Sequence, residues 1–162
     1  MLNIAAYVKD LSPSQGSFYL IKEFNNLLEN TDVSPSVFHD KTCIPPKHPC
    51  FSCRMAALMS PYRGSIIATT MQGAKTTLKL ANKADRYLYF WDLDWLRNTV
   101  WYSSAMSILR DDRLKLIARS ESHAECIENF CNKKVVGIVD NWNMEQMFGI
   151  IAEQSKGENY AS

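Results

Sequence analysis

The segment Trp91-Asp-Leu-Asp-Trp95 sets two carboxylates, Asp92 and Asp94, between two indoles. In an extended segment, side chains at i and i+2 face the same side, so the pair could act as a base, hold a divalent ion or receive sugar hydroxyls. An aromatic face, Trp91 or Trp95, would then cover the ring. The alternative is that Asp92 or Asp94 caps a following helix and both Trp lie in the core, since Asp is a favoured N-cap. A second group is Gln15-Gly16-Ser17, which ends a turn-forming stretch from Asp10. Backbone N–H groups at a helix start can hold an anion, and glycine lets a ligand approach closely. The spacing is not that of a dinucleotide-binding fingerprint, and the same residues also make an ordinary turn. The third group is Arg119-Ser-Glu-Ser-His123. Arg119 could pair with a phosphate, Ser120 could donate to it or cap a helix, and His123 titrates near neutrality.

One proline-rich stretch, from His39 to Cys53, holds Cys43, His48, Cys50 and Cys53. Cys50-x-x-Cys53 has zinc-ligand spacing, and His48 or Cys43 could complete a tetrahedral set. A strong zinc signal carries a second pair at the same spacing, and Cys126 and Cys131 are five apart. The expectation is therefore no metal and small half-buried loop residues. Five cysteines cannot all pair within the chain, and free thiols are expected.

These residues need elements to position them. Short runs of apolar, β-branched and aromatic residues predict strands at 2–8, 37–39, 65–69, 86–93, 114–118 and 135–139. Helical periods predict helices over 17–30, 72–81, 121–130 and 144–154, the first with a stripe of Leu20, Phe24, Leu27 and Leu28. Tyr87-Leu-Tyr-Phe-Trp91 is apolar at consecutive positions, as expected of a strand buried on both faces of a parallel sheet. Six strands, most followed by a helix, predict an α/β, Rossmann-like doubly wound domain over 1–154, with a polar tail at 155–162. Right-handed crossovers then put every strand's carboxyl end on one edge, where ligands bind at the topological switch point. The windows on that edge are 9–17, 39–53, 69–72, 91–95, 119–122 and 140–143.

The 162 residues, 46% hydrophobic and 22% charged, suit one globular core. Lys and Arg number 18 against 17 Asp and Glu, a net charge of +1 without a basic stripe, so nucleic acid is not indicated. The start, Met1-Leu-Asn-Ile-Ala-Ala, lacks the basic region and apolar run of a signal peptide. The apolar-leaning segment 98–109 is shorter than the ~20 residues of a membrane helix. No membrane association and a cytoplasmic location are expected.

At Tyr87-Leu-Tyr-Phe-Trp-Asp-Leu-Asp-Trp-Leu96 and Ile117-Ala-Arg-Ser-Glu-Ser-His-Ala124 the chain resembles the N-terminal Rossmann-like domain of GT-B glycosyltransferases. The resemblance is closest to short glycosyltransferase-like proteins of T4-like tailed phages. In order, Gly16-Ser17 looks like the glycine turn before the first helix, and Gly64-Ser-Ile-Ile-Ala-Thr-Thr70 like the strand before the next crossover. Phe90-Trp-Asp-Leu93 looks like the strand end at the interdomain cleft. Val139-Asp-Asn-Trp-Asn143 looks like the hinge into a nucleotide-sugar domain, for which no counterpart is expected within these 162 residues. Many relatives place a histidine beside the aspartate after the strand, whereas Trp91 precedes Asp92 here.

The resemblance implies sugar transfer from a nucleotide sugar to a hydroxyl, with no other cofactor and with Asp92 or Asp94 orienting or deprotonating the acceptor. Gly16, Ser17, Trp91, Trp95, Arg119 and Ser120 would bind substrate. A homodimer or a separate chain would supply the missing half, in the host cytoplasm if the chain is phage-encoded. The alternatives are a non-catalytic module that binds a nucleotide, a sugar or a host protein, and a phage structural or assembly protein on the same fold.

Overall fold

The computed structural model describes residues 3–97, 100 and 102–158, except for the side chains of 94, 97 and 155–158. Strands β1 (Ile4–Val8), β2 (Ser36–His39), β3 (Ser52–Met55), β4 (Ser65–Ala68), β5 (Asp85–Phe90), β6 (Leu114–Ala118) and β7 (Gly137–Ile138) form one sheet. Helices α1 (Gln15–Asn30), α2 (Met71–Leu78), α3 (Tyr102–Leu109), α4 (Glu121–Cys131) and α5 (Met144–Glu158) flank it. The strand order is β3-β2-β1-β4-β5-β6-β7, and every neighbouring pair is parallel. This is the α/β, Rossmann-like sheet that the alternating pattern predicts.

Alternation along the central strands sends side chains into two layers, and both are dry. Ile4, Ala6 and Val8 of β1 join Leu20 and Phe24 of α1 and Met147 and Ile151 of α5 on one face. On the other face, Leu88 and Phe90 of β5 and Leu116 and Ala118 of β6 pack with Ala74, Ile108 and Ile127 from α2, α3 and α4. A smaller group, Ala5, Tyr7, Phe38, Met59 and Ile66, lies under the β3–β4 connection. Each large aliphatic or aromatic side chain fully buried in this way contributes about 1.5–3 kcal/mol. On α1 the buried apolar stripe is Leu20, Ile21, Phe24 and Leu27, while Leu28 turns partly out.

Seven strands replace the six expected. The added one, β3, comes from the Cys/His segment and has the sequence Ser-Cys-Arg-Met with a mostly exposed face. As an edge strand it is held by its ladder to β2 and has no apolar run to betray it. Helix α3 was also not foreseen; Ala105, Ile108 and Leu109 bury one face at i, i+3 and i+4. The strand expected at 86–93 ends at Phe90, because the Trp91 N–H bonds back to the Tyr89 carbonyl at 3.1 Å and turns the chain out of the ladder. The strand expected at 135–139 is reduced to two residues.

The segment expected to be a hinge is a tight turn. Asn141 and Trp142 take left-handed φ values of 44° and 62°, which reverse the chain. Trp142 then inserts between Phe24 and Tyr89, at ring distances of 6.0 and 4.8 Å, and α5 packs on the same face as α1. Helix α5 also continues through residues 155–158, where a tail was expected. Residues 159–162 of that expected tail lie outside the described residues.

One buried cation closes the α2–β5 connection. Arg86 is 9% exposed and donates from Nε to Thr77 O (2.9 Å), from Nη1 to Ala84 O (3.1 Å) and from Nη2 to Leu80 O and Asn82 O (both 2.9 Å). It satisfies carbonyls left over at the end of α2, where positive charge is also favoured by the helix dipole. Arg86→Met keeps the apolar stem but removes these four bonds, and among the described residues only Thr77 O keeps a backbone partner, Leu80 N. Urea unfolding should show a loss of about 3 kcal/mol, with Arg86→Lys recovering only part of it.

Candidate functional site

β1 and β4 are adjacent, but the connections that follow them lie on opposite faces, α1 with β1 and α2 with β4. The two loops therefore part at the carboxyl edge, and a crevice opens between them. A cleft of about 250 Å³ occupies this point and extends to the end of β5.

Its first wall is the start of α1. Ser14 is extended and caps the helix, its Oγ accepting from Ser17 N at 3.0 Å and donating to Ser17 Oγ at 2.9 Å. The helix thus begins at Gln15, two residues earlier than predicted, and Gly16 lies in its first turn. A Cβ on Gly16 would meet the Trp91 indole at 3.4 Å, an ordinary contact distance, so the ring lies against the first turn of the helix. Its second wall is the end of β5. The Arg119 guanidinium lies 4.0 Å from the Trp91 ring centroid and donates from Nη2 to Asn141 Oδ1 at 3.0 Å. Tyr19 and Tyr89 pack against the same indole at 6.0 and 6.3 Å. Trp91 is therefore held on several sides while part of it faces the cleft. Asp92, beside it, is exposed and accepts from Leu93 N at 3.0 Å through Oδ1.

The fold brings together Gly16, Ser17, Trp91 and Asp92, with Arg119 supporting Trp91. Two predicted residues are elsewhere. Trp95 is 3% exposed and packs between Phe90 (5.1 Å) and Phe130 (5.7 Å) in the opposite layer, where it borders a small pocket that shares Thr69, Thr70 and Asp92 with the cleft. Ser120 caps α4, accepting from His123 N at 3.3 Å, and its hydroxyl meets that of Ser122 at 3.1 Å. Asp94 opens the short 3₁₀ turn Asp94–Arg97, and its side chain lies outside the described residues.

Sequence reasoning did not single out Lys9, Asp10, Thr69, Thr70 and Trp142, which also line the cleft. All five fall in the strand-end windows, but nothing in their types marks them. Asp10 is held below the usual carboxylate range by the Ser12 hydroxyl and by Ser12 N–H, which bonds Oδ1 at 2.9 Å. Thr70 caps α2, accepting from Gly73 N at 3.0 Å. The surface thus offers carboxylates, an ammonium, hydroxyls and two indoles, a set suited to a polyhydroxylated ligand.

Behind this wall, Tyr89 ties β5 to the last turn. Its hydroxyl donates to Val139 O at 2.7 Å and accepts from Trp142 N at 3.4 Å. Burial pushes its pKa up to about 12.

The Cys/His segment runs from the end of β2 into β3. Among the described residues no group of three or more His, Cys, Asp or Glu is placed to hold a metal ion, and all five cysteines are free thiols. The segment is instead clamped by the buried Asn25, whose Nδ2 donates to His48 O (2.9 Å) and whose Oδ1 accepts from Cys50 N (2.8 Å). Among the described residues no helix is long and apolar enough to cross a membrane.

No protein-family model, curated protein or solved structure matches the chain.

The Tyr89 environment gives a pH signature. Its folded pKa is raised from 10.0 to about 12, so the unfolded chain loses this proton first as pH rises. The contribution to stability is complete below pH 10 and is lost between pH 10 and about 12, with a slope of about 1.4 kcal/mol per pH unit. Tyr7 and Tyr62 are also raised by burial and add to the alkaline loss. Tyr89→Phe should remove its share of that slope in denaturation curves taken across this range, and should cost about 1–3 kcal/mol at neutral pH.

Proposed function

We propose that this chain is a glycosyltransferase-like domain whose switch-point cleft receives a sugar or other polyhydroxylated acceptor. The observation that carries the reading is the meeting of Gly16, Ser17, Trp91 and Asp92 in one cleft at the ends of β1, β4 and β5. An indole face beside a carboxylate and several hydroxyls suits a sugar ring and its O–H groups. The ordered motifs that resemble GT-B N-terminal domains supply the reaction class. In that reaction Asp92, or Asp94 two residues on, takes or orients the acceptor proton. The acceptor oxygen bonds to the anomeric carbon, and the nucleotide leaves with the electron pair of the broken glycosyl bond. The nucleotide sugar would be presented by a body other than this domain, such as another copy of the chain or a separate protein.

A second reading, a module that binds without catalysis, is favoured by a specific contact. Asp92 Oδ1 already accepts a backbone bond from Leu93 N, a local structural role, while the Arg119 guanidinium stacked on Trp91 holds the indole at the cleft in the way a binding surface needs.

Calorimetry and thermal shift against nucleotides, nucleotide sugars and free sugars separate the two. Saturable stabilisation by a sugar or nucleotide sugar is expected, and Trp91→Ala should weaken it by about tenfold. If transfer is found, the Asp92→Ala, Asp94→Ala double variant should lose about 100-fold or more in rate. Unchanged transfer in that variant would remove the catalytic roles. Sugar binding with no transfer by the homogeneous chain, alone or with a partner, would select the second reading.

A further inference from the structure

A second cavity, of about 380 Å³, lies at the opposite edge of the sheet, near the amino ends of β1 and β2. It is separated from the switch-point cleft by roughly the length of a strand, about 15 Å. Two guanidiniums, Arg54 and Arg63, line it together with Ser34, Ser36 and Asn3, and no Asp or Glu does.

Backbone constraints place both cations. Arg54 is paired in register with Phe38, and side chains at paired positions of adjacent strands project to the same face. On that face Tyr62 packs edge-on against Phe38 at 5.5 Å. Arg63 follows Tyr62 and precedes Gly64, whose φ of 129° brings the chain so close to Asn3 that a Cβ would collide with the Asn3 carbonyl. Only glycine accommodates that approach, and it delivers Arg63 to the amino edge of β1.

Both side chains are exposed and have donors to spare. Arg54 uses Nε on Ser52 Oγ at 2.9 Å, and its two Nη groups make no hydrogen bond among the described residues. Arg63 makes no hydrogen bond or ion pair among the described residues. Other arginines are committed: Arg86 to four backbone carbonyls, Arg113 to Asp111 through two bonds, and Arg119 to Asn141. Two cations that share a cavity without a carboxylate repel each other, and an anion between them removes that cost.

We propose that this cavity binds a small organic phosphate. Planar guanidinium forks match phosphate oxygens, and serine hydroxyls can add donors. The neighbouring wall, Leu58 (58% exposed), Pro61 and the Tyr62 ring, is apolar and would cover the organic part.

The test is calorimetric titration of the full chain with inorganic phosphate and with phenyl phosphate. Phenyl phosphate should bind saturably and more tightly than inorganic phosphate. Arg54→Gln and Arg63→Gln should each weaken it by about tenfold, whereas Lys9→Gln, in the other cleft, should leave it unchanged. Arg54→Lys and Arg63→Lys keep the charge but lose the fork, so intermediate affinities are expected. Amide shifts of the wild-type chain on adding phenyl phosphate should centre on residues 34–36 and 54–63, a readout that does not depend on any variant folding. The proposal is overturned by absent saturable binding, by equal affinity for the two probes, by indifference to both arginine substitutions, or by loss with Lys9→Gln.

Discussion

The structure depends on burying a parallel sheet on both faces. β1, β4 and β5 are covered on each side, so their backbone groups must be satisfied within the ladder and their side chains must be apolar at nearly every position. A parallel ladder also forces each connection to return along the length of the sheet. All the carboxyl ends then share one edge, and the turn-and-helix starts gather there. The cleft at β1 and β4 is a geometric consequence of this, since the flanking helices depart to opposite layers.

The edge is then tuned by aromatic side chains that run from core to surface. Phe24 packs on Trp142, Trp142 on Tyr89, Tyr89 on Trp91, and Arg119 covers Trp91. Edge-to-face contacts of this kind add specificity of angle to simple burial. The polar ends of the chain of rings are also satisfied: the Tyr89 hydroxyl reaches Val139 O, and Arg119 reaches Asn141. The residues after β7, far from the cleft in sequence, thereby support its wall. The left-handed pair Asn141 and Trp142 turns the chain back on itself, so that the last helix completes the layer over α1.

Arginine is used in two ways. Where a helix end must be held, its donors are spent on backbone carbonyls, as at Arg86, and where an aromatic wall must be held, it stacks on the ring and reaches one side-chain acceptor, as at Arg119. At the amino edge of the sheet, Arg54 and Arg63 are set in place by strand pairing and by Gly64, with donors directed at no acidic partner among the described residues. With a net charge of only +1, the local arrangement of charges matters more than their sum.

The central strands and most helices were legible in the sequence because double-sided burial writes consecutive apolar residues, as in Tyr87-Leu-Tyr-Phe90, and amphipathic helices write a stripe, as in Leu20, Phe24 and Leu27. The strand-end windows followed from handedness and held Gly16, Ser17, Trp91 and Asp92, which do meet. Strand β3 was not legible, since an exposed edge strand needs only a backbone partner, and Ser52–Met55 carries no pattern. Nor could local sequence separate Trp91 from Trp95. Both flank the same Asp-Leu-Asp, yet one is at the cleft and the other packs on Phe90 and Phe130 in the opposite layer. The difference arises where β5 leaves the ladder after Phe90, a point set by hydrogen bonding and by the layers packed on each face. Apolar runs and helical stripes in the residues themselves set the central strands and the amphipathic helices, and so the class of fold. The tertiary structure decided which of several chemically similar side chains share a space, because that depends on contacts between residues distant in the chain.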